Sequence, residues 1–180
     1  MNNRTLRHLA ALGLAVGGIF GLAGTFAPSA GMRGLAWGID GLGLVMASAL
    51  LTVSYFRDGY DVVAAGFLVF AVGHGLIVSG AAMSLTDSVP SFGAGAGLWA
   101  VGLMLISVPT VFPLVSRVLG LTTSLLFAST ALRIFSGASL DPLSTPLPFF
   151  IYPVFVATLA TWIWTLLKFE TRAATKEDAV

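Results

Sequence analysis

Six long apolar segments, separated by short polar ones, take up most of this 180-residue chain. Two stretches, 9–30 and 91–116, contain no ionisable side chain at all. A water-soluble helix needs a polar face, and these segments are too uniformly apolar to provide one. Runs of about 20 apolar residues match the hydrocarbon thickness of a bilayer. The pattern therefore predicts an all-α integral membrane protein, a bundle of six transmembrane helices.

The predicted spans follow one another with short connections, which make consecutive helices antiparallel neighbours. They cover Leu9–Phe26, Gly34–Phe56, Val62–Met83, Phe92–Ser116, Val118–Gly137 and Phe149–Lys168. Residues 1–168 then form a single membrane domain. Residues 169–180 have mixed charge and few apolar side chains, and we expect a mobile cytoplasmic tail there.

The basic residues predict the orientation of the bundle, because cytoplasmic loops carry an excess of Lys and Arg. With the N-terminus inside, the inner side holds Arg4, Arg7, Arg57, Arg117, Lys168, Arg172 and Lys176, and the outer side only Arg33 and Arg133. Both termini are therefore predicted to be cytoplasmic. Trp37 and Trp99 are predicted near the outer interface, where indole rings are favoured. The Ala- and Gly-rich composition suggests a bacterial inner membrane.

Composition excludes several classes of function. The chain is 57% hydrophobic and 9% charged, with a net charge of +1, so no nucleic-acid partner is expected. It has no cysteine, which excludes disulfides and thiolate metal sites. The two histidines, His8 and His74, lie at different depths, and no carboxylate pair has catalytic spacing. We therefore predict no catalytic residue, no metal and no cofactor.

Small residues repeat at helical spacing on several spans. The clearest ridge is Gly13, Gly17 and Gly21 on span one. Such ridges allow membrane helices to approach closely, which lipid does not otherwise drive. The ridge predicts either packing within the bundle or contact with another subunit, in a homo- or hetero-oligomer.

Two prolines, Pro109 and Pro113, lie inside the predicted span four. Proline removes a backbone donor and clashes with the preceding turn, so a kink is expected near 105–109. A broken helix can line a binding site, as in transporters, or can simply bend with its carbonyls satisfied by neighbouring groups.

Three ionisable residues interrupt the apolar spans: Asp40, His74 and Arg133. At a rise of about 1.5 Å per residue, all three fall in the outer half of the membrane. Charged groups in hydrocarbon usually face a partner or a cavity. They could form one site with an Asp40–Arg133 ion pair, or each could be hydrated, snorkelling or hydrogen-bonded separately.

Three functions are compatible with this sequence. The favoured one is a non-catalytic membrane component or subunit that packs through its glycine ridges. The alternative is a channel, carrier or binder of a small solute, ion or lipid headgroup at the outer polar site. A membrane enzyme or quinone-binding protein is the third.

Overall fold

The computed structural model describes residues 2–80 and 83–177, with side chains through Lys168. This part of the chain contains six helices and no strand: α1 Asn3–Thr25, α2 Ala30–Arg57, α3 Asp61–Gly80, α4 Val89–Ser107, α5 Leu114–Phe135 and α6 Ile151–Glu177. Each is long and apolar enough to cross a membrane, in α6 over Ile151–Lys168. The predicted six-span all-α fold is confirmed.

The helices are arranged as a closed ring. Each packs against its neighbours in sequence, and α6 returns to pack against α1. The first turn of α1 and the last turns of α6 lie at one end, which we call the terminal end. The α1–α2, α3–α4 and α5–α6 loops lie at the other, the distal end. That the distal end faces outward stays a prediction from the basic residues.

Aromatic side chains fill the interior of the ring. The set, which we call the aromatic core, is buried and consists of Tyr55, Phe67, Phe70, Trp99, Phe112, Phe127, Phe155 and Trp162. Phe67 of α3 meets Trp162 of α6 with ring centroids 5.3 Å apart, and Trp99 of α4 stacks on Phe155 at 5.0 Å. Because these contacts cross the ring, the centre of the bundle is closed. Trp99 thus belongs to the interior, and its predicted interfacial position is wrong.

Glycines set the close approach of α1 to α2 and of α3 to α4. A Cβ on Gly43 of α2 would lie 2.8 Å from the Gly13 carbonyl oxygen and 3.0 Å from the Gly17 nitrogen. The α3–α4 contact repeats this arrangement, with Gly66 against Gly102. Backbone atoms cannot move aside as flexible side chains can, so only glycine fits at these points. The ridge on α1 therefore packs within the molecule.

The predicted kink in span four is wrong. The helix ends at Ser107, Pro109 lies in the connection 108–113, and Pro113 is the N-cap residue of α5. Arg117 donates hydrogen bonds to the carbonyl oxygens of Ser107 (3.0 Å) and Val108 (2.9 Å). The prolines stop the helix, and a cation satisfies the carbonyls left at its end.

Other boundaries differ less from the prediction. Helix α1 begins six residues, nearly two turns, before its predicted span, and α2 begins four residues, about one turn, before its own, because charged residues are tolerated at helix ends. Residues 81–82 of the predicted span three lie outside the described residues. Helix α6 continues to Glu177, through most of the segment predicted as a tail, and residues 178–180 are not described.

The glycine contacts predict a difference between two alanine substitutions on α2. Gly43→Ala should lower the free energy of unfolding by about 1–2 kcal/mol, because its methyl group would meet the α1 backbone. Gly38→Ala is the matched control, since its Cβ would have no atom within 4 Å. That change should be neutral or slightly stabilising. Denaturant unfolding in mild detergent measures both, and equal effects would contradict the assigned packing.

Candidate functional site

A cavity of about 70 Å³ lies at the distal end of the ring, between the aromatic core and the loops. Its volume is enough for a few water molecules or a small organic group. Every helix contributes to its lining, with Thr25 from α1, Asp40 from α2, His74 from α3, Trp99 from α4, Phe127 from α5 and Tyr152 from α6. The ring therefore converges on this one space.

Asp40 is held in the interior by the buried face of α2, together with Leu44 and Ala47. Only 4% of its surface is exposed. The Tyr152 hydroxyl of α6 donates a hydrogen bond of 3.0 Å to Asp40 Oδ2. The other carboxylate oxygen, Oδ1, is buried and has no hydrogen bond from the described residues. Oδ2 is thus held by a hydrogen bond, and Oδ1 remains able to accept a hydrogen bond from a ligand.

The glycine ridge of α1 makes room for this pair. A Cβ on Gly17 would lie 3.3 Å from Asp40 Oδ1, and a Cβ on Gly21 would collide with the Tyr152 hydroxyl. Helix α1 lies between α2 and α6 in the ring. The missing side chain at Gly21 therefore gives the Tyr152 hydroxyl the room to reach Asp40, and the one at Gly17 gives room to Leu44 and Asp40 of α2.

His74 lies beside Asp40 but is not hydrogen-bonded to it. Its Nε2 is 3.8 Å from Asp40 Oδ2, and only 1% of its surface is exposed. The imidazole stacks on the Trp99 indole, with centroids 5.1 Å apart and an angle of 15° between the planes. Neither ring nitrogen has a hydrogen-bond partner in the described part of the chain. Stacking thus fixes the ring plane and leaves both nitrogens for another group.

Four polar atoms of these lining residues are buried without a hydrogen bond among the described residues. They are Asp40 Oδ1, both imidazole nitrogens of His74, and Trp99 Nε1. Leaving such a group unpaired costs about 1–3 kcal/mol. Buried polar groups in native proteins are nearly always satisfied. Their grouping around one cavity is what a binding site for a polar molecule requires.

Arg133 does not join Asp40 and His74. It lies in the last turn of α5, is exposed, and does not line the cavity. The inward face of α5 carries Phe127 and Ala131, and two further residues rotate Arg133 by about 200°. The prediction of an Asp40–Arg133 ion pair is therefore wrong. Asp40 accepts a hydrogen bond from Tyr152 instead.

Tyr152 and Trp99 are the site residues that the sequence did not reveal. Tyr152 lies in the first turn of α6, at the same end of the bundle as Asp40. The sequence places the two residues at the same depth, but aromatic residues at this depth are also typical of lipid interfaces. Only the rotation of the helix about its axis distinguishes a residue that points into the site from one that points to lipid.

Comparison of the chain with protein-family models, with curated proteins and with solved structures finds no match. Its function must therefore be inferred from the cavity and the groups that line it.

The hydrogen bond to Asp40 predicts the effect of removing one oxygen atom. Tyr152→Phe should lower the free energy of unfolding by about 1–2 kcal/mol, because the buried carboxylate loses its donor. Tyr60→Phe removes the same atom from an exposed ring and should have almost no effect. Denaturant unfolding in detergent compares the two. A Tyr152→Phe protein as stable as Tyr60→Phe would show that the bond contributes nothing.

Proposed function

We propose that this polytopic membrane protein binds or carries a small solute in the distal cavity. The supporting observation is the convergence of four unpaired polar atoms on a cavity lined from all six helices. Asp40, His74 and Trp99 supply these atoms from three different helices. Packing alone would favour apolar side chains at these positions, because unpaired polar groups destabilise a membrane interior.

The aromatic core supports a binder over an open channel. Phe70 stacks on Trp99 at 5.3 Å, and Phe155 meets both rings from α6. A solute in the cavity therefore reaches a closed floor of aromatic rings. This supports a binder, or a carrier that must change conformation to release its solute at the terminal end, over an open channel.

The side from which the solute enters follows from the orientation predicted by the basic residues. If the termini are cytoplasmic, the cavity opens towards the outside of the cell. The loop residues that contribute to its lining, Leu85 and Pro142 among them, belong to the distal end. We therefore propose that the protein takes up its solute from the outer face.

Substituted cysteines test access to the cavity, since the natural chain contains none. Ser88 lines the cavity, whereas Ser48 is fully buried on α2, two turns beyond Asp40. In purified folded protein, Ser88→Cys should react rapidly with methyl methanethiosulfonate and Ser48→Cys should not, because reaction needs access to the thiol. Both should react after denaturation.

Two further measurements complete this test. A solute that occupies the cavity should slow the reaction of Ser88→Cys. A membrane-impermeant methanethiosulfonate added to intact cells should label the same cysteine if the distal end is outside. A folded Ser88→Cys protein as unreactive as Ser48→Cys would contradict the proposed function.

A second candidate is a subunit that assembles with copies of itself through small residues. The α1 ridge is occupied by contacts within the molecule, but Gly34 and Gly38 of α2 have no other atom near their Cβ positions. They form a narrow open surface on which another helix could pack. This surface, and not the ridge of α1, is what supports the subunit role.

Native mass spectrometry from mild detergent tests the second candidate. If the protein self-assembles here, the natural chain should form a dimer or larger complex, and Gly38→Leu should convert it to a monomer. Gly75→Leu is the control, because Gly75 also has open space around it but lies on α3. A monomeric natural chain would exclude self-assembly through this surface.

A further inference from the structure

We infer that the solute is a small organic cation, a protonated amine that also carries a hydroxyl oxygen. The inference rests on the proposed function and names the ligand class of the same cavity. It assigns the cation to the free side of the Asp40 carboxylate. It assigns the oxygen of the ligand to the indole N–H of Trp99.

The charge of the lining favours a cation. Asp40 and His74 are its only ionisable groups apart from the Tyr152 hydroxyl, and no Lys or Arg is among the lining residues. His74 is too far from Asp40 for a hydrogen bond. A buried carboxylate without a cationic partner is costly. An ammonium group beside Oδ1 would supply the missing partner, whereas an anion would find no positive side chain there.

The two nearest arginines at the distal end do not take this role. Arg133 is exposed on α5, and the Arg33 guanidinium lies over the Trp37 ring at 5.9 Å from its centroid. Neither lines the cavity. The protein thus places a carboxylate in the cavity and keeps its own cations outside.

Aromatic side chains form part of the remaining wall. The lining includes Trp37, Phe92, Phe127 and Tyr152 in addition to Trp99. Ring faces attract ammonium groups, most strongly when water is excluded. Apolar rings next to one carboxylate are the surroundings in which substituted ammonium groups are recognised. A neutral apolar ligand would use the rings but would leave Asp40 unpaired.

The indole N–H of Trp99 accounts for the oxygen of the ligand. The faces of Trp99 are covered by stacking on His74, Phe70 and Phe155, so the indole offers its Nε1–H. This N–H is buried without an acceptor among the described residues. Indole is a donor only, so its partner must be an acceptor. A ligand with an ammonium group and an oxygen a few bonds away, such as an amino alcohol, meets both requirements within about 70 Å³.

Matched pairs of probes separate charge from shape. Ethanolamine and 1-propanol have nearly the same shape, as do 3-amino-1-propanol and 1-butanol, but only the first of each pair is charged. Binding is measured by calorimetry and by tryptophan fluorescence, with the natural chain in phosphatidylglycerol nanodiscs. At least one cation should bind about tenfold more tightly than its neutral counterpart. Asp40→Asn should abolish this preference, and Arg133→Gln should retain it.

The outcomes distinguish this inference from the proposed function. Neutral probes that bind as tightly as the cations would overturn the inference and leave the binding function standing. Binding of neither probe would overturn both. If Asp40→Asn does not fold, the comparison of charged and neutral probes on the natural chain still decides.

The same cationic chemistry occurs in free amines and in lipid headgroups. Nanodiscs that also contain phosphatidylethanolamine separate the two sources. A weaker apparent affinity for the soluble cation in these discs would identify the headgroup as a competitor. An unchanged affinity would assign the cavity to a free solute.

Discussion

The hydrogen bond from Tyr152 to Asp40 is the contact on which the distal half of this bundle depends. A carboxylate in hydrocarbon must find its partners inside the protein, because lipid offers none. The bond joins α2 and α6, which are separated in the ring by α1. It forms because Gly21 of α1 has no side chain where the Tyr152 hydroxyl lies. The absence of side chains on this part of α1 is therefore needed both for close helix packing and for the placement of the buried acid.

The aromatic core gives the two halves of the molecule different roles. Rings from five helices fill the middle of the bundle and join opposite sides of it. Dispersion and ring packing stabilise this part of the bundle. Buried polar atoms without a hydrogen bond occur here too, among them Ser48 Oγ, Ser107 Oγ and Trp162 Nε1. At the distal end, four such atoms instead belong to residues that line one cavity, where a single ligand would satisfy them together.

The sequence predicted the features that depend on depth and missed those that depend on rotation. Hydropathy located six spans, and residue counting put Asp40, His74 and Arg133 at the same end of the bundle. Whether a side chain points inward depends on the rotation of the helix about its own axis. The sequence does not reveal this rotation when the apolar residues are spread around all sides of the helix. Arg133 consequently points outward, and Tyr152, a residue with no charge to attract attention, is the partner of Asp40. The same ambiguity made Trp99 resemble an interfacial residue.

The glycine ridge shows why packing and function could not be separated on the sequence. Gly13, Gly17 and Gly21 were expected to serve either the bundle or a partner subunit. In the structure Gly13 and Gly17 contact α2, Gly17 mainly against the Leu44 side chain, while Gly21 makes room for the Tyr152 hydroxyl that donates to the acid. Helix α1 thus contributes to the site mainly through the side chains it lacks. A larger residue at Gly21 would displace Tyr152 and leave the carboxylate unpaired, so this position is constrained by the chemistry of the cavity as much as by helix contact.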